Sequence, residues 1–428
     1  MSEYNKGSLS LIGTIAMGTG VMVGAGIFAL TGEIANYAGK YFTLAFLGAG
    51  IMAAITSYTY IKMSNAYPSS GGIGMILKKC YGASPIAAWG GLLMFFSMVI
   101  NQSLVARTFG NYITQIDGIG IGKGAIPWLG LCLVIFSFLI NILNNKWIQG
   151  FSLVTAVIKV VGLLALAFGG LYASGVNLMF IRETSSETGA LSFIGAVALG
   201  VLAFKGFTTI TNSGDEIEEP HKNVGRAIGI SLILCLAIYM VVTVAVGSSL
   251  SLQEILDAKN YSLAEAARPL YGEWGVRATV GMAIIATVSG IIASMFAVSR
   301  MLAMLTKMEM VPHKHFGMPG GIQKHTLVYT AVLAGLMTVT FDVSRIAALG
   351  AFFYITMDIL IHWGVLTRTD HSEVKVEKWV LKTSIGLDLL ILFGLFYIKA
   401  KDDLTIIWIA LVSMAVIYFY EKHFFKAK

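Results

Sequence analysis

Lys159, in the run V-T-A-V-I-K-V-V-G-L-L (154–164), and Lys205, in A-F-K-G-F (203–207), are ionisable residues inside apolar stretches. Placing a lysine at the centre of a membrane helix costs about 2.5–3.5 kcal/mol, so an ionisable group kept there is a functional candidate. Burial also disfavours the charged form, which suits a group that takes up and releases a proton near neutral pH. Lys159 falls about eleven residues into its helix, roughly 16 Å along the axis at 1.5 Å per residue, near the midplane of a ~30 Å core. That depth argues against a lysine that merely snorkels to the interface. Lys205 could pair with an anionic group, act as a second protonatable site, or be balanced by an internal carboxylate. Asp358 and His362, one helical turn apart, suit structural pairing, a proton relay, or partnership with one of the lysines. Asp388 reads as a packing residue or a contact with another subunit, and Asn101 and Gln102 as polar groups for a ligand or a neighbouring helix.

A second kind of chemistry is carried by backbone. Gly18 to Gly32 reads G-T-G-V-M-V-G-A-G-I-F-A-L-T-G, five glycines inside an apolar run long enough to span a bilayer. Irregular backbone at membrane depth survives only where it lines a cavity or binds something, because each unpaired group costs several kcal/mol in hydrocarbon. Gly24-Ala25-Gly26 is therefore expected to break the first helix, and Gly206 to break the sixth. The N–H groups of Gly24, Ala25 and Gly26 would suit a carboxylate, and the carbonyls of Met22, Val23, Ala203 and Phe204 an ammonium group or an ion. Close helix packing at small residues is the alternative for the same glycines.

These residues need helices to position them. The 428-residue chain is 56% hydrophobic and 12% charged, against about 25% charged for a soluble domain. Apolar runs predict an all-α polytopic membrane protein with helices near 9–37, 41–66, 85–112, 125–144, 148–174, 190–214, 224–250, 273–306, 325–341, 344–367, 378–398 and 404–423. The seven tryptophans fall at or near these ends, at headgroup level. Most lysines and arginines lie on the loops sharing a side with the N-terminus, which puts both termini in the cytoplasm. The net charge of +7 reflects these loops rather than a nucleic-acid surface. The short polar N-terminus lacks a cleavage pattern. Cys80, Cys132 and Cys235 have no metal-like spacing. Ser251 to Leu270 should form short helices over the membrane domain, as a lid or a plain connector. Phosphate-binding loops, nucleophile motifs and paired His/Cys ligands are not found, so no enzyme, metal or cofactor is expected, and His313-x-His315 reads as polar loop.

Two breaks in corresponding helices imply two inverted five-helix repeats, 9–174 and 190–367, with 378–423 added. G-A-G-I-F-A-L-T-G (24–32) with Ala38-Gly39, Pro68-Ser69-Ser70-Gly71-Gly72, A-F-K-G-F (203–207), E-I-E-E-P-H-K-N-V-G-R-A-I (216–228) and Val298-Ser299-Arg300 with Pro312 together resemble the amino acid–polyamine–organocation (APC) superfamily. T-Y-I-K-M-S (59–64), I-T-N-S (210–213) and the placement of Lys159 are similar to the ApcT-like proton-coupled amino acid transporters within it. The resemblance covers helices 1 to 8. It implies a LeuT-like fold and alternating-access transport of an amino acid across a prokaryotic plasma membrane, with a proton as coupling ion. The substrate would meet Val23, Gly24, Ala25, Gly26, Ile27, Ala203, Phe204, Lys205 and Phe207, with the Phe204 or Phe207 ring covering it. Lys159 would stand where sodium-coupled relatives bind their ion, beside the Gly20 carbonyl and the hydroxyls of Ser289 and Ser294. Arg300 would pair with an acid in 215–219. Lys205 departs from the family, which has an apolar or small residue there, and it disfavours cationic substrates. An exchanger without net proton movement is the nearest rival reading, and a non-transporting sensor a remote one.

Overall fold

The computed structural model describes residues 7–116, 120–143, 146–182, 188–312, 321–369 and 373–427. The described residues are helical apart from loops and one isolated bridge between Leu9 and Ile217. The helices are α1 (Leu11–Ala38), α2 (Phe42–Ala66), α3 (Gly72–Tyr81), α4 (Pro85–Ile113), α5 (Ile126–Leu143), α6 (Lys146–Ser174), α7 (Met179–Arg182) and α8 (Ala190–Phe204). After them come α9 (Phe207–Thr211), α10 (Pro220–Ser249), α11 (Leu252–Asp257), α12 (Ser262–Lys307), α13 (Ile322–Thr340), α14 (Val343–Arg368), α15 (Lys378–Asp402) and α16 (Leu404–Ala427). Among the described residues, nine helical stretches are long and apolar enough to cross a membrane. Their outward faces stay apolar, as at Val154, Val157 and Val161 of α6 and Leu389, Phe393 and Phe396 of α15. Exposed apolar surface on this scale fits lipid rather than water. His313 and His315 lie outside the described residues.

Among the described residues the expected apolar runs are helical, apart from a turn within the sixth. The sequence pattern did not anticipate α3, a short helix after the Pro68–Gly72 turn. The stretch after α10 forms α11, closed by a reciprocal Ser251–Glu254 capping box, and then the first turns of α12. Gly272, at φ 55°, bends α12 before the apolar part begins.

α1 lies in the middle of the bundle, against α6, α8, α10 and α12. Four further contacts join α8 to α2, α4 to α12, α2 to α10 and α5 to α13. α4 also packs on α5 and α14, α12 on α13 and α6, and α8 on α14.

The sixth helix is interrupted where expected: α8 stops at Phe204, Lys205 and Gly206 form a turn, and α9 restarts at Phe207. The first helix is not. α1 is continuous from Leu11 to Ala38, and none of its six glycines takes a positive φ. Its backbone groups satisfy one another, as hydrocarbon requires, and the missing side chains serve contact instead. A Cβ on Gly26 would lie 2.7 Å from Cα and Cβ of Ala203 in α8 and 3.0 Å from the Tyr239 hydroxyl of α10. One on Gly32 would lie 2.1 Å from the Lys259 carbonyl oxygen. Gly24 is roomier, with the Ala286 oxygen at 3.5 Å and the Gly290 Cα at 3.7 Å from the same construction. The small-residue packing of α1 thus replaces the expected break.

Gly26→Val should therefore destabilise the protein by about 1–3 kcal/mol through overpacking, whereas Gly24→Ala should be neutral or slightly stabilising. Thermal unfolding of both variants in detergent checks this; equal losses at the two positions would contradict the packing assignment.

Candidate functional site

The interruption between α8 and α9 borders a small cleft of about 20 Å³, lined among others by Val21, Met22, Gly26, Asn101, Ala203, Lys205, Gly206, Thr209 and Ser294. Lys205 is buried at its wall. Its Nζ donates to the Ser97 carbonyl and contacts Ser97 Oγ, both at 2.9 Å, and lies 5.8 Å from the centre of the Tyr354 ring. No carboxylate pairs with it among the described residues, so the internal ion pair weighed from sequence is replaced by a hydroxyl and a carbonyl on α4. Gly206 lets the turn touch α1: a Cβ there would sit 2.6 Å from Met22 Cγ.

Tyr239, a lone tyrosine in the apolar middle of α10, closes the junction of α1 and α8. Its hydroxyl donates to the Met22 carbonyl at 2.6 Å and lies 3.1 Å from that of Ala203. These are two of the carbonyls expected to be free for an ammonium group. A tyrosine hydroxyl stands against both of them instead.

The cleft meets the expected α1 residues only in part. Val21, Met22 and Gly26 line it, while Val23 and Ile27 are fully buried elsewhere and Gly24 faces α12. In a continuous helix, positions 22 and 26 share a face that 23, 24 and 27 do not. The Ala25 side chain lies outside those described. Phe204 packs edge-on against Tyr239, centroids 5.0 Å apart, and Phe207 against Tyr60 at 5.2 Å. Neither ring lines the cleft, which corrects the expectation that one would cover it; Asn101 and Thr209 stand there instead.

On the other side of α1, the Lys159 Nζ donates to the Gly20 carbonyl at 2.7 Å. Lys159, Gly20, Thr155 and Ser289 line a second, smaller cleft of about 10 Å³. The Ser289 hydroxyl donates to the Ile285 carbonyl at 2.7 Å. Ser294 does not belong to this group: it lines the Lys205 cleft, and its hydroxyl receives a bond from Gln102 Nε2 at 3.4 Å. Five residues of helix turn the two serines roughly 140° apart. Cys235 is a further buried neighbour of Lys159 that the sequence pattern did not single out.

Both ends of this core are tied. Arg300 of α12 pairs with Glu216, an ion pair within the expected 215–219 segment. The Glu216 backbone is in turn held by the chain before α1, with Leu9 N–H donating to the Glu216 carbonyl at 2.8 Å and Glu218 N–H to the Leu9 carbonyl at 2.9 Å. At the far end of α1, buried Glu33 meets Lys259 at 3.1 Å. The segment after α11 therefore seals α1 rather than hanging free.

Asp358 and His362 do not meet either lysine. They join Tyr60, Thr59 and Asp388 in a buried polar cluster between α2, α14 and α15. Asp388 is thus an internal residue facing α14, not a contact for another subunit.

A bundle of apolar helices around two buried lysines, neither paired with a carboxylate among the described residues, and small polar clefts beside them fits a membrane transporter. The amino acid permease family profile matches residues 9–420, and the chain belongs to that family, within the APC superfamily. It is an amino acid transporter and not an enzyme. It is similar to the inner membrane transport protein YbaT of Escherichia coli K12, 25% identical over 415 residues covering 95% of each chain. The serine/threonine exchanger SteT of Bacillus subtilis 168 is 24% identical over 290 residues, 67% of this chain and 64% of SteT. The vacuolar cationic amino acid transporter 4 of Arabidopsis thaliana is 25% identical over 255 residues, 56% of this chain and 42% of that protein.

Arg300→Gln should cost on the order of 3 kcal/mol, since it leaves the Glu216 charge buried and unpaired. The Arg300→Gln, Glu216→Gln double variant should lose less than the sum of the single losses. Chemical or thermal unfolding of the four proteins checks this, and strict additivity would contradict a direct pair.

Proposed function

We propose that this transporter is a proton-coupled amino acid symporter that works by alternating access, with Lys159 carrying the coupling proton. The observation that carries this reading is the Lys159 amine: it is buried without a carboxylate partner among the described residues and tied to the Gly20 carbonyl of α1. When α1, α6 and α12 part, that bond opens and the amine can exchange its proton with water. A charged lysine holding α1 to α6 then links proton occupancy to helix position.

A LeuT-like architecture of two inverted repeats, 9–174 and 190–367, is supported by which helices touch. Exchange α1, α2, α4, α5 and α6 in order with α8/α9, α10, α12, α13 and α14. The contact of α1 with α10 becomes that of α8 with α2, α4 with α14 becomes α12 with α6, and α4 with α5 becomes α12 with α13. α15 and α16 add the last two of twelve spans, and both termini lie in the cytoplasm of a prokaryotic cell.

The substrate site is the cleft at the α8–α9 turn. Its amino and carboxyl groups would be recognised there once α1 opens at Gly24–Gly26, the segment with least side-chain resistance to unwinding. That opening moves the Met22 carbonyl off the Tyr239 hydroxyl. Lys205 at the wall favours neutral or acidic side chains over cationic ones. Exchange of one amino acid for another is the second reading, favoured by the name of the SteT relative.

In proteoliposomes, uptake of radiolabelled amino acids should rise several-fold with an inward proton gradient, and Lys159→Ala should abolish that rise. Uptake that ignores the gradient in both proteins, yet is stimulated by internal amino acid, would select exchange. Lys205→Ala should reduce any preference for acidic over cationic substrates.

A further inference from the structure

We propose that Asp358, His362 and Asp388 form a binding site for one divalent transition-metal ion, zinc in the first instance, that fastens α15 to α14 inside the membrane domain. His362 Nε2 lies 3.3 Å from Asp358 Oδ1 and 3.5 Å from Asp388 Oδ2, and the three ligand atoms all fall within 4.8 Å of one another. A tetrahedral ion with bonds of about 2.0–2.1 Å holds its ligand atoms ~3.3–3.4 Å apart, so the two distances match the edges of a zinc site. They are too long and too poorly aligned for good imidazole–carboxylate hydrogen bonds. His362 Nε2 and Asp388 Oδ2 are in fact without hydrogen-bond partners, although both side chains are buried and point into the cluster.

The surroundings prepare these atoms as ligands. Thr59 Oγ1 stands 2.7 Å from His362 Nδ1. In the tautomer that carries its proton on Nδ1, His362 donates to Thr59 and its Nε2 lone pair is free for the ion beside the two carboxylates. Tyr60 donates its hydroxyl to Asp358 Oδ1 at 2.5 Å, the supporting bond that a ligating carboxylate usually receives. Two carboxylates share this buried space, and no lysine or arginine pairs with either among the described residues. A divalent ion cancels both charges, which an apolar interior otherwise opposes. One imidazole with two carboxylates selects zinc, cobalt or manganese over magnesium and calcium, which prefer oxygen alone. The ligands come from α14 and α15 and their supports from α2. The ion would therefore pin an added helix to the repeat core.

The full chain, purified in detergent with its affinity tag removed, is stripped with a chelator, reloaded with Zn²⁺ and washed, and its metal content is measured by mass spectrometry. One zinc per chain and a raised melting midpoint on reloading are expected for the wild type. His362→Ala and Asp388→Asn should retain no zinc, and Thr59→Val, which keeps every ligand, should bind 10–100-fold more weakly. Wild-type protein that retains no zinc and melts unchanged overturns the proposal, as does equal retention in His362→Ala and Asp388→Asn. A zinc-reloaded wild type that keeps the infrared band of a protonated carboxyl group, absent in Asp388→Asn, also overturns it, and assigns the cluster to proton storage. The wild-type and Thr59→Val measurements decide the matter even where a ligand variant fails to fold. None of these readouts involves transport, so failure here leaves the symport reading untouched.

Discussion

The approach of α1 to α8 at Gly26 and Ala203 is the contact on which the rest of the core depends. A side chain on Gly26 would stand 2.7 Å from Ala203 and 3.0 Å from the Tyr239 hydroxyl. Because it is absent, the two helices come close enough for one hydroxyl to reach the carbonyls of Met22 and Ala203. The turn at Lys205 and Gly206 is held beside α1 by the same closeness. Association of helices in lipid draws little on the hydrophobic effect and relies on packing and interhelical hydrogen bonds. This junction uses both.

The two lysines illustrate the same economy. Among the described residues neither is paired with a carboxylate; each is solvated by a backbone carbonyl, Lys159 by that of Gly20 and Lys205 by that of Ser97 together with the Ser97 hydroxyl. A buried lysine–carboxylate pair would be a rigid strut, because separating it leaves two uncompensated charges. An amine resting on carbonyls can lose its proton and let go at smaller cost. The strong ion pairs are found instead at the two ends of the core, Arg300 with Glu216 and Lys259 with Glu33.

The helices were legible in the sequence because apolar runs of this length have one stable form in a bilayer, and the turn at Gly206 because a lysine and a glycine interrupt such a run. The supposed break at Gly24–Gly26 was misread because glycine serves two ends that composition does not separate, unwinding and close approach. Val23, Ile27, Phe204 and Phe207 were assigned to the cleft on the assumption of irregular backbone; a continuous α1 turns the first two away, and Tyr239 and Tyr60 draw off the rings. Ser97 and Tyr239 were passed over, and Asp388 was read without its partners, for another reason. Each acts through a residue far off in the chain, and no spacing within one helix encodes a partner on another. A lone tyrosine in the middle of α10 was the one local sign available.

With α1 unbroken and the Tyr239 hydroxyl on the carbonyls, the core is tied at Glu216 on one side and at Glu33 on the other. In the proposed transport cycle, access from either side undoes one of these ties. At the end carrying Leu9, the tie joins α12 to the segment after α9, and the strand-like pairing of Leu9 with residues 216–218 binds the start of α1 into it. Movement of α1 there would shift the Gly20 carbonyl as well, and with it the bond to Lys159. At the other end, the Glu33–Lys259 contact engages only the segment between α11 and α12, some three turns of helix from Gly20. Opening at that end can proceed without disturbing Lys159. In the proposed symport the amine would sense one of the two openings and not the other, the asymmetry that a coupled proton requires.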